Sequence, residues 1–116
     1  MSYYSLYLGC LMIFGCILMM SASGHAAVNR QETALVIENH LFEPAEIAMT
    51  NNTVLKLIIY NHDSTVEEFE SIDLKREKIV PANGKVVVSV GPLKPGIYKF
   101  FGEFHPETAQ GIISVK

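Results

Sequence analysis

Apolar and polar residues alternate along most of this chain with the two-residue period of a half-buried strand. Ala34-Leu35-Val36-Ile37, Glu46-Ile47-Ala48-Met49, Val54 to Tyr60 and Glu68-Phe69-Glu70-Ser71-Ile72 each read as a strand. So do Val86-Val87-Val88-Ser89-Val90, Tyr98-Lys99-Phe100 and Ile112-Ile113-Ser114-Val115. Turn residues separate them. Asn39 to Pro44 reads as a loop in which Pro44 bars a helix, Asn51-Asn52 turns the chain, and Asn61-His62-Asp63-Ser64 ends the strongest strand. Pro81-Ala82-Asn83-Gly84 and the Gly91 to Gly96 segment are further turns, and Asp73 to Lys78 reads as a charged, exposed connection. Helical periodicity and internal repeats are missing from the pattern. Seven to eight short strands spaced by Gly and Pro predict an all-β fold, a Greek-key sandwich or barrel.

One stretch departs from the alternation. Leu6 to Met20 is uncharged and apolar throughout, and Ser21-Ala22-Ser23-Gly24-His25-Ala26 follows with small residues. The run is shorter than the roughly 20 residues a membrane span needs. It therefore reads as a secretory signal peptide, residues 1–26, cleaved near Ala26 to release a periplasmic domain of residues 27–116. Met1 to Tyr7 carries no Lys or Arg, so an uncleaved anchor is a second reading, and a lipoprotein signal ending at Cys16 a third.

This division changes the chemistry open to the domain. Cys10 and Cys16 both fall in the leader, so residues 27–116 have no thiolate and no disulfide. The chain has 116 residues and a formal net charge of −3, with no basic stripe, which argues against nucleic acid as a partner. No Ser/His/Asp or Cys/His hydrolase set and no phosphate loop stands out.

The stretch from Pro95 to Gly111 is the most informative. Pro95-Gly96 opens a turn, Tyr98 and Phe100 face inward, and parity puts Gly102 on the same face. The short loop after it carries His105, Glu107 and Gln110. This segment resembles the metal-site region of cupredoxins. Their pattern is Gly-x-Tyr-x-Phe-x-Cys, a His three residues on, and Met or Gln five beyond. His105 and Gln110 stand in those last two places, and Gly102 stands where the pattern has Cys. Phe42-x-Pro44, Val54 to Ile58 leading into Asn61-x-Asp63, and Gly111 to Val115 extend the likeness over nearly all of residues 27–116. Asn61-His62, Glu68-Phe69-Glu70, Arg76-Glu77-x-Ile79 and Phe101 to His105 are similar to EfeO-type cupredoxin domains and to the small periplasmic component of ferrous-iron uptake systems.

The resemblance implies a metal site without sulfur. The first His place of the pattern holds Glu67 when counted from Asn61, whereas the acid–aromatic–acid pattern favours Glu68. The implied donors are His105, Glu67, Glu68 and Glu103, with Gln110 in the axial place and Glu107 as a further carboxylate. Imidazole and carboxylate suit iron or manganese better than a thiolate set does, and copper(II) competes well at most N/O sites. Glu67 and Glu68 also read as a solvated acidic edge that guards a strand against pairing. His40 and His62 read as turn residues near the rim, and Arg76-Glu77 as an ion pair. The resemblance further implies an iron or copper ion as cofactor. A membrane iron permease and a periplasmic iron-binding protein are the implied partners, with a role in iron oxidation or delivery. A copper-buffering protein or a metal-free docking module is the alternative.

Overall fold

The computed structural model describes residues 28–116. The expected signal peptide lies outside them. The described residues form nine strands: β1 (Asn29–Glu38), β2 (Leu41–Glu43), β3 (Glu46–Met49), β4 (Thr53–Asn61), β5 (Glu67–Ser71), β6 (Arg76–Val80), β7 (Lys85–Val90), β8 (Gly96–Gly102) and β9 (Gln110–Val115). Two sheets result, ordered β2-β1-β4-β7 and β3-β9-β8-β5-β6. They pack as a β-sandwich. β1 runs parallel to β4 and β3 parallel to β9, because the chain changes sheet between those strands; the other pairings are antiparallel.

Alternation decides which residues fill the space between the sheets. In β4, Thr53, Leu55, Leu57, Ile59 and Asn61 point inward and are buried, joined by Leu35 and Ile37 of β1. The facing sheet contributes Ile47, Met49, Phe69, Val80, Phe100, Ile113 and Val115. Phe42 of β2 reaches across to this second layer. Its ring meets Phe100 edge-on at 5.1 Å and Phe69 at 6.2 Å, geometries favoured by the aromatic quadrupole. Burial of such side chains, about 1.5–3 kcal/mol each, is the main stabilising term.

Two strands exceed the sequence expectation. β2 is only three residues long and occupies what reads as a loop. β6 is built from Arg76-Glu77-Lys78-Ile79-Val80, where charge marks an exposed sheet edge rather than a connection, and only Val80 is buried. The expected Arg76–Glu77 ion pair does not form. Arg76 donates from Nε to the Ser89 carbonyl of β7 at 3.1 Å, tying the edges of the two sheets together.

Candidate metal centre

Three connections meet at one end of the sandwich, and each delivers one side chain. The first is the β1–β2 turn. Asn39 and His40 both have positive φ, 53° and 58°, the backbone of a two-residue hairpin turn. Asp63 holds this turn from the β4–β5 connection. Its Oδ1 accepts from Asn39 N at 2.8 Å and its Oδ2 from His40 N at 3.0 Å, and Oδ2 also lies 3.4 Å from His40 Nδ1. Burial alone pushes the Asp63 carboxyl up. The two backbone N–H groups, with the His40 and His105 imidazoles, outweigh that and hold it below the usual value. Asp63 is itself fixed by Asn61. The buried Asn61 amide donates to Thr65 O and Val80 O, and its Oδ1 accepts from Asp63 N at 2.9 Å.

The second side chain is Glu67, the first residue of β5, which points inward and is 1% exposed. A buried carboxylate is costly unless hydrogen-bonded. Glu67 is well provided: Oε1 accepts from Glu68 N at 3.0 Å and Phe104 N at 2.9 Å. The third is His105, in the β8–β9 loop. Its backbone donates to Gly102 O, and its carbonyl accepts from Ala109 N at 2.9 Å, which winds the loop into one turn. His105 Nδ1 and Glu67 Oε2 share a hydrogen bond of 2.6 Å. The His40 and His105 rings stack at 3.6 Å with planes 12° apart.

His40, Glu67 and His105 thus each offer one ligand atom, all within 4.8 Å of one another. Glu67 forms the buried floor, and the two imidazoles, partly exposed, form the mouth. Gly102 explains why the floor is a carboxylate. A Cβ at position 102 would lie 2.7 Å from Glu67 Cδ, 2.9 Å from Oε1 and 2.7 Å from Ala109 Cβ. The space that a cysteine thiolate would need at this position is filled by Glu67. The residues present therefore fit a divalent cation held by two imidazoles and a carboxylate, and they do not fit a thiolate–copper centre.

The other residues implied by the sequence lie elsewhere. Gln110 starts β9 and is exposed, and its Nε2 donates to Pro106 O at 2.8 Å, closing the loop. Glu107 is exposed on the same loop. Glu68 and Glu103 lie on the opposite, outer face of the sheet, where Glu103 N donates to the Glu68 carbonyl at 2.9 Å. There Glu68 joins Glu70 and Glu77. A hydrogen bond with Glu77, then burial, then the charges of Glu77, Glu70 and Glu103 push the Glu68 carboxyl up to about 7. Burial, followed by the charges of Glu103 and Glu77, raises Glu70 as well.

Residues 10–115 match the family described as cupredoxin-like domain. The chain belongs to that family. A Rickettsia prowazekii (strain Madrid E) protein, named only as uncharacterized, is 47% identical over 87 residues, covering 75% of this chain and 70% of the relative. Among solved structures, auracyanin A, a "blue" copper protein from Chloroflexus aurantiacus, superposes with a TM-score of 0.66 at 11% identity, over 76% of this chain and 100% of that one. A purple cupredoxin from Nitrosopumilus maritimus gives a TM-score of 0.59 at 17% identity, over 72% and 99%. The metal-binding domain of a Streptococcus pneumoniae Cu(I)-exporting ATPase gives 0.65 at 13% identity, over 78% and 89%. These likenesses establish the cupredoxin-like fold.

Sequence reading placed His40 at the rim as a turn residue. The signal that makes it a candidate ligand is the pair Asn39-His40 between two apolar alternations, a hairpin that carries the imidazole to the same end as His105.

Proposed function

We propose that this cupredoxin-like protein binds a divalent metal ion through His40, Glu67 and His105, in a site from which thiolate is excluded. The observation that carries the proposal is the Glu67 carboxylate lying in the space a side chain at position 102 would take, 2.7 Å from the Cβ position. Copper(II) heads the affinity order for such N/O sites. Two of the structural neighbours are described as a blue copper protein and as a domain of a Cu(I) exporter. Bound copper supplies one-electron redox and Lewis-acid chemistry. The chain supplies the rest. Glu67 would supply a negative charge to the ion, and its two backbone donors keep Oε1 engaged, which leaves Oε2 as the oxygen that would hold it. His105 Nδ1, now in a 2.6 Å hydrogen bond with Glu67 Oε2, would hold the ion in exchange for that bond, and it would have to be unprotonated to do so. Asp63 holds the His40 turn.

We further propose that the setting is iron supply in the periplasm, after export and cleavage near Ala26. In that role the protein binds or helps oxidise ferrous iron beside a membrane iron permease and a periplasmic iron-binding protein. Support comes from the resemblance of the Glu68-Phe69-Glu70 and Arg76-Glu77 phrases, and from the replacement of a soft thiolate by a harder carboxylate. Calorimetric titration with Cu(II), Mn(II) and, anaerobically, Fe(II) tests the binding, alongside elemental analysis of protein purified from its own compartment. His105→Ala is expected to lose at least about tenfold in affinity. Equal binding of all three ions by parent and variant contradicts the site and leaves the metal-free docking module.

A further inference from the structure

Strand β1 is longer than the neighbours that cover it. β4 pairs with one side of it from Asn29 to Ile37, whereas β2 pairs with the other side only at Val36, Ile37 and Glu38. Among the described residues, no strand pairs with that other side from Asn29 to Leu35. The N–H and C=O of successive strand residues point to alternate sides. Asn29 N donates to the Asn52 carbonyl and the Ile37 carbonyl accepts from His62 N, so the odd-numbered residues face the β4 side. Arg30, Glu32 and Ala34 therefore direct their backbone groups at the open edge.

An open edge is a template for another strand. The remaining edges of the sandwich are shorter or engaged. β2 has three residues, the Ala48 carbonyl of β3 accepts from the Gln31 side chain, and β6 and β7 are tied together by Arg76 at the Ser89 carbonyl. The edge of β1 is also complementary to itself. When two copies are set antiparallel about a two-fold axis at Gln31, Arg30 of each stands opposite Glu32 of the other. Both residues direct their backbone groups at the edge, so each such pair exchanges two hydrogen bonds. Both side chains are exposed on the same outer face, where opposite charges across from each other stabilise the pairing. Lys56 lies opposite Glu32 on the β4 side, its Nζ 3.9 Å from the carboxylate, so signs alternate from Lys56 to Glu32 to Arg30 across the junction. Neighbouring registers are worse. An axis at Arg30 or at Glu32 sets like charges against each other. An axis at Thr33 sets Arg30 against Val36, whose edge β2 already holds.

We propose that the open edge of β1 is the interface of a homodimer, in which two copies join their four-stranded sheets with Gln31 on the two-fold axis. Such an interface uses the same patch of both copies and closes on itself. The paired strands run in opposite directions, so the two His40 turns lie at opposite ends of the dimer, on the order of 50 Å apart along the strands. Both metal mouths stay open, and the interface does not rest on what they bind.

Sedimentation equilibrium of the protein purified from its own compartment should show a concentration-dependent dimer that a chelator leaves unchanged. Arg30→Glu alone and Glu32→Arg alone each place like charges face to face and should weaken association at least about tenfold. The variant carrying both substitutions exchanges the signs and should regain the parent's association. Both side chains are exposed, so circular dichroism should show all three variants folded. A second measurement reads the register directly. Facing residues of a non-hydrogen-bonded pair have Cα atoms about 4.5 Å apart, within the reach of a disulfide. Gln31→Cys should therefore form a covalent dimer on air oxidation, whereas Ala34→Cys, opposite Val28 in this register, should not; the parent controls for linkage through Cys10 or Cys16. A parent that is monomeric at every concentration, a double variant as weak as the single ones, or equal linkage at positions 31 and 34 overturns the proposal.

Discussion

Replacing Gly102 by alanine puts a methyl group 2.7 Å from both Glu67 Cδ and Ala109 Cβ. Either the carboxylate or the loop has to move. The variant should lose about 1–3 kcal/mol in urea unfolding, typical of overpacking, and should also bind metal more weakly because Glu67 leaves its place. Gly102→Cys combined with Glu67→His replaces the carboxylate with imidazole and introduces sulfur, with Ala109 still having to give way, so copper loading should move the spectrum toward an intense blue absorption; an unchanged pale spectrum would mean that the aligned site is wrong. Asp63 is tested by acid. Its carboxyl is held below 3.8 in the folded state, so its contribution to stability is present above that value and is lost as pH falls through the lower folded-state value. Asp63→Asn should be less stable near neutrality, should lack this acid-sensitive part, and should bind metal more weakly by about 10–100-fold as the His40 turn loosens. Gly102 and His105 were legible in the sequence because strand parity and loop spacing fix them. His40 was not, because its position depends on a two-residue turn whose N–H groups are held by Asp63, 23 residues later.

At the scale of the element, β5 shows why one residue of register matters. Glu67 and Glu68 are neighbours in sequence and face opposite sides of a sheet. The strand was legible from its alternation, but two adjacent acids left open which of them looks inward. The structure resolves this through Gly102, which sits opposite Phe69 and gives Glu67 its space. Strands β2 and β6 escaped for different reasons. β2 is too short to show a period, and β6 is an edge whose charged residues are its protection from further pairing. The outer acids also give β5 a pH signature. A carboxyl raised to about 7 holds its proton more tightly in the folded than in the unfolded chain, so this contribution favours folding at low pH and is lost as pH rises from about 4.5 to 7. Urea midpoints should fall across that window, and Glu77→Gln should flatten the fall.

For the whole molecule, the fold and the metal are separable. The core of Leu35, Ile37, Leu55, Leu57, Ile59, Phe69, Phe100 and Ile113 is continuous and uses no ligand to pack. Chelation should therefore leave the secondary structure intact, and circular dichroism of chelator-treated protein checks this. The central claim is that a sandwich of cupredoxin type here holds its ion with two imidazoles and one carboxylate in place of sulfur. Electron paramagnetic resonance of the Cu(II)-loaded full chain tests it most directly. The account predicts a pale sample with an ordinary, uncompressed copper hyperfine pattern and nitrogen splitting from two imidazoles, reduced to one in His40→Ala. A compressed hyperfine pattern with an intense blue band, or a spectrum that His40→Ala and His105→Ala leave unchanged, would contradict it.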